Sequence, residues 1–142
     1  MSTVKITPVA MTIAGSDSGG GAGIQADLKT FTALDVFGTS VITALTAQNT
    51  MGVQGILPIS SDFIVKQLHS VCDDIQVDAV KTGMLHDSGV IEAVATFFKK
   101  RQQVPSIIVD PVMISTSGNK LLKDEAIEYL KNIDSILLKD FT

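Results

Sequence analysis

Short apolar runs alternate with amphipathic segments along this chain, and that alternation constrains the fold more than any single motif does. Strands are predicted from the apolar runs at residues 9–14, 36–45, 53–59, 77–80, 107–109 and 136–138. Helices are predicted at residues 23–34 and 61–74, and after two capping residues, Asp87 and Asp124. Such an alternation predicts an α/β fold whose mostly parallel sheet is covered on both faces.

Two of the predicted helices carry clear apolar stripes that should face the core. The inner face of helix 61–74 is predicted to consist of Phe63, Ile64, Leu68 and Val71. The inner face of the helix after Asp87 is predicted to consist of Val90, Ile91, Val94, Phe97 and Phe98.

Composition limits the function classes. The 142 residues favour a single domain, and a net charge of −4 provides no basic surface for nucleic acid. No apolar run reaches the length of a membrane span, and no signal-peptide pattern is present, so the cytoplasm is the expected location. Cys72 is the only cysteine; with no evident acid–base partner, it is interpreted as a packed or half-packed thiol.

Parallel sheets bind ligands at the carboxyl ends of their strands. The loops predicted there are residues 15–23, 46–52, 81–86 and 110–118, and all four are polar or rich in glycine. These four loops are therefore the candidate site.

The first of these loops carries the strongest local signal, with five glycines in nine residues. Glycine lets a backbone approach a ligand closely, and the N-terminus of the following helix offers free N–H groups to an anion or polar ligand. No Gly-Lys-Ser/Thr follows, which argues against a P-loop. The GxGxxA pattern at 21–26 lacks the acid that a dinucleotide site needs. The alternative is a tight turn without a ligand.

Three polar residues near these loops are candidate ligand contacts. Asp27 lies on an otherwise apolar helical stripe, which is costly unless the carboxylate is paired or faces a polar site; the alternative is a helix-dipole carboxylate. Gln48 offers an amide suited to a heteroaromatic ring with an amino group, or else it bonds its own backbone in a turn. Asp110 ends a buried strand, where an acid can hold a metal–phosphate complex or structure the turn before Pro111.

Four ordered segments resemble the hydroxymethylpyrimidine/phosphomethylpyrimidine kinases. They are residues 12–17 (TIAGSD) with 20–30 (GGAGIQADLKT), 41–50 (VITALTAQNT), 81–85 (KTGML), and 109–113 (VDPVM) with Ser117 and Gly118 after it. Ser18 and Gly19 stand where the family often has Pro-Ser. The resemblance extends from Ala10 to about Leu138.

This resemblance implies a ribokinase-like fold, a three-layer α/β/α sandwich. It implies phosphorylation of 4-amino-5-hydroxymethyl-2-methylpyrimidine and of its monophosphate in thiamine biosynthesis, with ATP and Mg²⁺, by an enzyme that is a homodimer in the family. Gln48 would then hydrogen-bond the aminopyrimidine, and Met84 would contact the ring. Asp27, with the backbone of Ala22 and Gly23, would line the substrate pocket, and Asp110 would lie near the metal and the transferring phosphate.

The resemblance covers only the N-terminal part of the family's length. In the family, the second half supplies most of the nucleotide pocket and a Gly-rich anion hole with the residue proposed to activate the hydroxyl. Residues 1–142 are therefore expected to be the N-terminal portion of one ribokinase-like domain, without the catalytic residues. The alternatives are a pyridoxal kinase, which shares the fold, and a non-catalytic pyrimidine-binding fragment.

Overall fold

A computed structural model describes residues 7–103 and 105–112. Within these residues the chain forms five strands and three helices. In chain order they are β1 (Val9–Asp17), α1 (Gly23–Ala33), β2 (Phe37–Asn49), β3 (Gly52–Pro58), α2 (Ser61–Cys72), β4 (Ala79–Thr82), α3 (Ser88–Lys99) and β5 (Ser106–Val109).

The five strands form one sheet in the order β3-β2-β1-β4-β5. Strand β1 lies at the centre and runs parallel to β2 and to β4, and β4 runs parallel to β5. Only β3, at one edge of the described sheet, is antiparallel. The prediction of a mostly parallel sheet is confirmed.

Helices cover both faces of this sheet, as the three-layer prediction requires. Successive strand residues point to opposite faces. Met11 and Ile13 of β1 are fully buried in the core formed with α2 and α3, whereas Thr12 between them bonds Asp27 of α1. Helix α1 therefore packs on one face, and helices α2 and α3 pack on the other.

The predicted inner face of α3 is confirmed, because all five of its predicted apolar residues are buried. The predicted cap is confirmed too, since the Asp87 carboxylate accepts a hydrogen bond from the N–H of Val90 at 3.0 Å. The core prediction for α2 is wrong at Phe63, whose residue is 55% exposed. Ile64, Leu68 and Val71 follow the four-then-three spacing of one helical face, and Phe63 lies about 100° away from that face.

The predicted loop at 46–52 is wrong. Strand β2 continues to Asn49, and only Thr50 and Met51 separate it from β3. The polar residues after Leu45 form strand because β3 supplies antiparallel hydrogen-bond partners up to Asn49, with an irregularity between Ala47 and Gln48. A polar sequence can remain extended at the exposed end of a strand when the second strand of a hairpin pairs with it.

Two predicted elements, the helix after Asp124 and the strand at 136–138, lie outside the described residues. So does the loop at 110–118 beyond Val112. In the part of the chain that the structure describes, no helix is both long enough and apolar enough to cross a membrane.

Candidate functional site

The carboxyl ends of the parallel strands meet around a cavity of about 300 Å³. All six residues predicted for the site line it: Ala22, Gly23, Asp27, Gln48, Met84 and Asp110. This volume is at the small end of the range for ligand sites, which suits a single-ring molecule. The structure therefore brings the predicted residues together, while their binding of a ligand stays a prediction.

A larger cavity, of about 740 Å³, lies at the amino ends of β4 and β5. Cys72 lines it, and burial raises the pKa of this thiol, which favours its protonated form. Because α/β sheets place their ligand sites at the carboxyl ends of the strands, we assign the site to the smaller cavity.

The Gly-rich loop is held by a carboxylate of the chain itself. Asp17, which is nearly buried, accepts hydrogen bonds from the backbone N–H groups of Gly19 at 2.7 Å, Gly21 at 3.0 Å and Ala22 at 2.8 Å. These three N–H groups belong to the loop before α1, and the expectation that the N–H groups of the helix itself bind an anion or polar ligand stays a prediction. The Asp17 carboxylate thus satisfies these loop donors from within the chain.

Close backbone packing then places Ala22 and Gly23 at the cavity. Gly23 has a left-handed φ of 56°, and a Cβ atom there would collide with the carbonyl oxygen of Gly15. The Gln25 side chain joins the strand to the helix, since its amide oxygen accepts from the N–H of Asp17 at 2.8 Å and its amide nitrogen donates to Ser16 Oγ at 2.7 Å. These contacts fix the turn between β1 and α1.

Asp27 faces the site and is paired within it. Its Oδ2 atom accepts from the hydroxyl of Thr12 at 2.6 Å and from the ammonium of Lys81 at 3.1 Å. Thr12 is fully buried, and the Asp27 side chain is 17% exposed. Both contacts are to Oδ2, which leaves Oδ1 able to accept from a ligand.

Lys81 lies in the predicted site loop 81–86, but the sequence analysis predicted no role for it. Its ammonium lies 3.1 Å from Asp27 Oδ2 and 3.3 Å from Asp110 Oδ2, so it joins two candidate residues that are far apart in sequence. The available sequence signal was its position directly after the predicted strand 77–80, at the carboxyl end where ligands bind. Lys81 pairs with Thr12 of the central strand β1, on the face that α1 covers.

Gln48 is held through its backbone and its side chain. The Ser18 hydroxyl donates to the Gln48 carbonyl oxygen at 2.7 Å and accepts from the Gln48 N–H at 2.8 Å. The Thr46 hydroxyl lies 2.9 Å from the Ser16 carbonyl oxygen and 3.0 Å from Gln48 Oε1. A hydroxyl has one proton and can donate to only one of these oxygens, so the Gln48 amide keeps hydrogen-bonding capacity towards the cavity.

Met84 supplies apolar surface to the cavity. Its carbonyl oxygen accepts from the buried hydroxyl of Thr43 at 2.6 Å, which ties the loop after β4 to β2. Its side chain lies over Gly15, where a Cβ atom would come within 2.6 Å of the Met84 methyl group. Glycine at 15 thus provides the space that Met84 occupies.

Asp110 could take part in binding a metal ion, although not by itself. The described residues contain no group of three or more His, Cys, Asp or Glu side chains that could hold a metal. Mg²⁺ is commonly bound by one or two carboxylates together with substrate phosphates and water. The half-exposed carboxylate of Asp110 fits that role.

The mostly parallel sheet and the cavity at its carboxyl ends define an α/β fold of the ligand-binding type, and comparisons with known proteins specify the family. The sequence profile named phosphomethylpyrimidine kinase matches residues 17–138. The hydroxymethylpyrimidine/phosphomethylpyrimidine kinase of Bacillus subtilis is 54% identical over 87% of this chain and 45% of its own length. The chain belongs to the phosphomethylpyrimidine kinase family.

Solved structures agree with this assignment. The crystal structure of phosphomethylpyrimidine kinase from Clostridium difficile has a TM-score of 0.80 and 51% identity, covering 87% of this chain and 53% of that one. The ADP complex of Bacillus subtilis pyridoxal kinase has a TM-score of 0.69 and 44% identity, covering 76% of this chain and 42% of that one. These similarities confirm the ribokinase-like fold. The chain spans about half the length of the curated relatives it matches.

Proposed function

We propose that this chain forms the pyrimidine-binding part of a hydroxymethylpyrimidine/phosphomethylpyrimidine kinase of thiamine biosynthesis. The observation that carries the proposal is the position of Gln48, Asp27 and Met84 around one small cavity at the carboxyl ends of β1, β2 and β4. The family membership supports it.

The cavity chemistry suits an aminopyrimidine. An amide can accept from the exocyclic amino group and donate to a ring nitrogen, which is the role proposed for Gln48. A carboxylate accepts from N–H or O–H groups of the ligand, which is the role proposed for Asp27 Oδ1. A flat ring would pack against the polarisable side chain of Met84, beside the backbone of Ala22 and Gly23.

The phosphoryl donor is proposed to be ATP with Mg²⁺, and Asp110 is the described residue proposed to hold the metal. When bound, the metal supplies positive charge that stabilises the transferring phosphoryl group. Asp110 lines the same cavity as Asp27, so the metal would lie beside the bound pyrimidine.

A second candidate is pyridoxal phosphorylation, which the 44% identity to a pyridoxal kinase structure favours. A third is pyrimidine binding without catalysis. Both share the cavity, and they differ from the main proposal in ligand preference and in turnover.

Isothermal titration calorimetry separates the pyrimidine and pyridoxal candidates, and an ATP turnover assay with the pyrimidine separates the non-catalytic one. We expect the chain to bind 4-amino-5-hydroxymethyl-2-methylpyrimidine at least about tenfold more tightly than pyridoxal, a difference of about 1.4 kcal/mol. A preference for pyridoxal would favour the second candidate. Absence of binding to either compound would contradict the proposed function.

A further inference from the structure

Lys81 lies between the two carboxylates of the site. Its ammonium is within 3.3 Å of Oδ2 of both Asp27 and Asp110, and its side chain is only 25% exposed. It is also the only cationic side chain among the described residues that line the cavity. Neither the family assignment nor the proposed function gives this residue a role.

The backbone next to Lys81 leaves room for the ammonium. A Cβ atom at Gly83 would lie 3.2 Å from Lys81 Nζ and 2.9 Å from Ala14 Cβ. A side chain at position 83 would therefore crowd the ammonium from one side. The carboxylates of Asp27 and Asp110 also contact this ammonium, so these contacts together define the position of Lys81 Nζ in the site.

The two contacts orient Asp27. Thr12 and Lys81 both bond Oδ2, which fixes the carboxylate with Oδ1 as the oxygen left for a ligand. Without the ammonium, Asp27 would keep only the Thr12 hydroxyl and would face Asp110 with no cation between them. Two carboxylates that line the same cavity repel each other, and the repulsion is stronger where water is partly excluded.

We propose that Lys81 is a positioning residue that holds Asp27 in the orientation in which it accepts a hydrogen bond from the pyrimidine, and that it links Asp27 to Asp110. The proposal rests on the proposed function. Lys81 acts through Asp27 and does not itself contact the unphosphorylated ring.

Direct phosphate binding by Lys81 is the competing role, and the charges of the cavity disfavour it. Among the described residues, three carboxylates, those of Asp17, Asp27 and Asp110, line the cavity with this one ammonium. A phosphate would meet a net negative surface, and Lys81 would have to leave two carboxylates to bind it.

A double-mutant cycle tests the proposal, with affinity for the unphosphorylated hydroxymethylpyrimidine measured by calorimetry without nucleotide or metal. The variants are Lys81→Met, Asp27→Asn and their combination. The control is Lys66→Met, because Lys66 is exposed on α2 and does not line the cavity. If the methionine variant does not fold, Lys81→Gln replaces it, since its shorter polar side chain cannot reach both carboxylates.

We expect Lys81→Met to weaken binding by about fivefold or more, and the double variant to bind no more weakly than Asp27→Asn alone. Lys66→Met should bind as the unmodified chain does. A role in stability alone would lower the melting temperature and leave the affinity unchanged, which would overturn the proposal. So would a Lys81→Met effect confined to the pyrimidine monophosphate, because that result assigns Lys81 to the phosphate.

The wild-type chain distinguishes failure of this inference from failure of the proposed function. If the unmodified chain does not bind the pyrimidine, both are wrong. If it binds and Lys81→Met binds equally well, only the positioning role is wrong.

Discussion

The contacts that position Gln48 at the cavity leave part of the hydrogen-bonding capacity of its side-chain amide available to a ligand. Its backbone is tied to Ser18, and its side chain meets only a hydroxyl that is shared with the Ser16 carbonyl oxygen. We predict that Gln48→Ala weakens pyrimidine binding by about 1–2 kcal/mol, the typical effect of a lost hydrogen bond that leaves its partner unmatched.

Calorimetry on the variant measures this loss directly. Gln76→Ala is the matched control, since Gln76 is exposed and lies at the opposite end of the sheet. Equal affinities for the unmodified chain and the Gln48 variant would remove Gln48 from the site.

Asp27 lines the ligand cavity and also accepts a hydrogen bond from the buried hydroxyl of Thr12. In Asp27→Leu the chain should still fold, but the fully buried Thr12 hydroxyl loses its acceptor. We predict a loss of about 1–3 kcal/mol in the free energy of unfolding, the cost of a buried unsatisfied group, together with weaker pyrimidine binding.

Urea unfolding and calorimetry on the same preparation check both parts. Asp74→Leu, at an exposed position outside the cavity, should change neither quantity. If Asp27→Leu lowers stability and binds normally, the carboxylate is only structural.

The sequence predicted which side chains face the site, but not which other side chains form hydrogen bonds or ion pairs with them. The apolar stripe around Asp27 predicted a paired or site-facing carboxylate, and the structure pairs it with Thr12 and Lys81. Lys81 lies 54 residues away in the sequence, so only the strand register brings it to Asp27. Asp17 received no role from the sequence, although an Asp that opens a Gly-rich turn commonly bonds the N–H group two residues on, as Asp17 does with Gly19.

At the scale of secondary-structure elements, the backbones of β1 and α1 approach each other closely where the strand turns into the helix. Gly23 combines a left-handed backbone with direct contact to the Gly15 carbonyl group. We predict that Gly23→Ala lowers the free energy of unfolding by at least about 1–2 kcal/mol from the backbone alone, and by more because the methyl group collides. Since Gly23 lines the cavity, pyrimidine binding should fall as well.

Chemical denaturation measures the effect, and Gly55→Ala provides the comparison. Gly55 lies on the edge strand β3, where a Cβ atom would make an ordinary 3.8 Å contact with Ala47. That variant should lie within about 0.5 kcal/mol of the unmodified chain. Equal stabilities of the two variants would contradict the argument.

The elements that the sequence predicted well are those with a full local pattern. Helix α3 has a cap at Asp87 and a continuous apolar stripe, and both were correct. The end of β2 has neither, because Thr46 pairs with both β1 and β3 and the residues from Ala47 to Asn49 pair with β3. Periodicity within one segment cannot reveal a partner strand.

For the molecule as a whole, one part of the described sheet stays exposed on the face that α1 covers elsewhere. Ile108 of β5 is 60% exposed, and the neighbouring Asp110 side chain is 50% exposed. The site is therefore open to water at the carboxylate proposed to hold the metal. Water there weakens the electrostatic interactions on which phosphoryl transfer depends.

We predict that residues 1–142, assayed alone with ATP, Mg²⁺ and hydroxymethylpyrimidine, transfer phosphate at least tenfold more slowly than the Bacillus subtilis relative. A fusion of this chain to the part of that relative beyond the matched region should restore turnover, because it supplies the additional chain length that the relative has. Pyrimidine affinity should differ little between the chain and the fusion, since the residues proposed to bind the ring are all present in both. An Asp110→Asn fusion serves as the matched control, and it should keep pyrimidine affinity while losing turnover. Turnover by the 142-residue chain within tenfold of the relative, a barrier difference of only about 1.4 kcal/mol, would contradict this prediction.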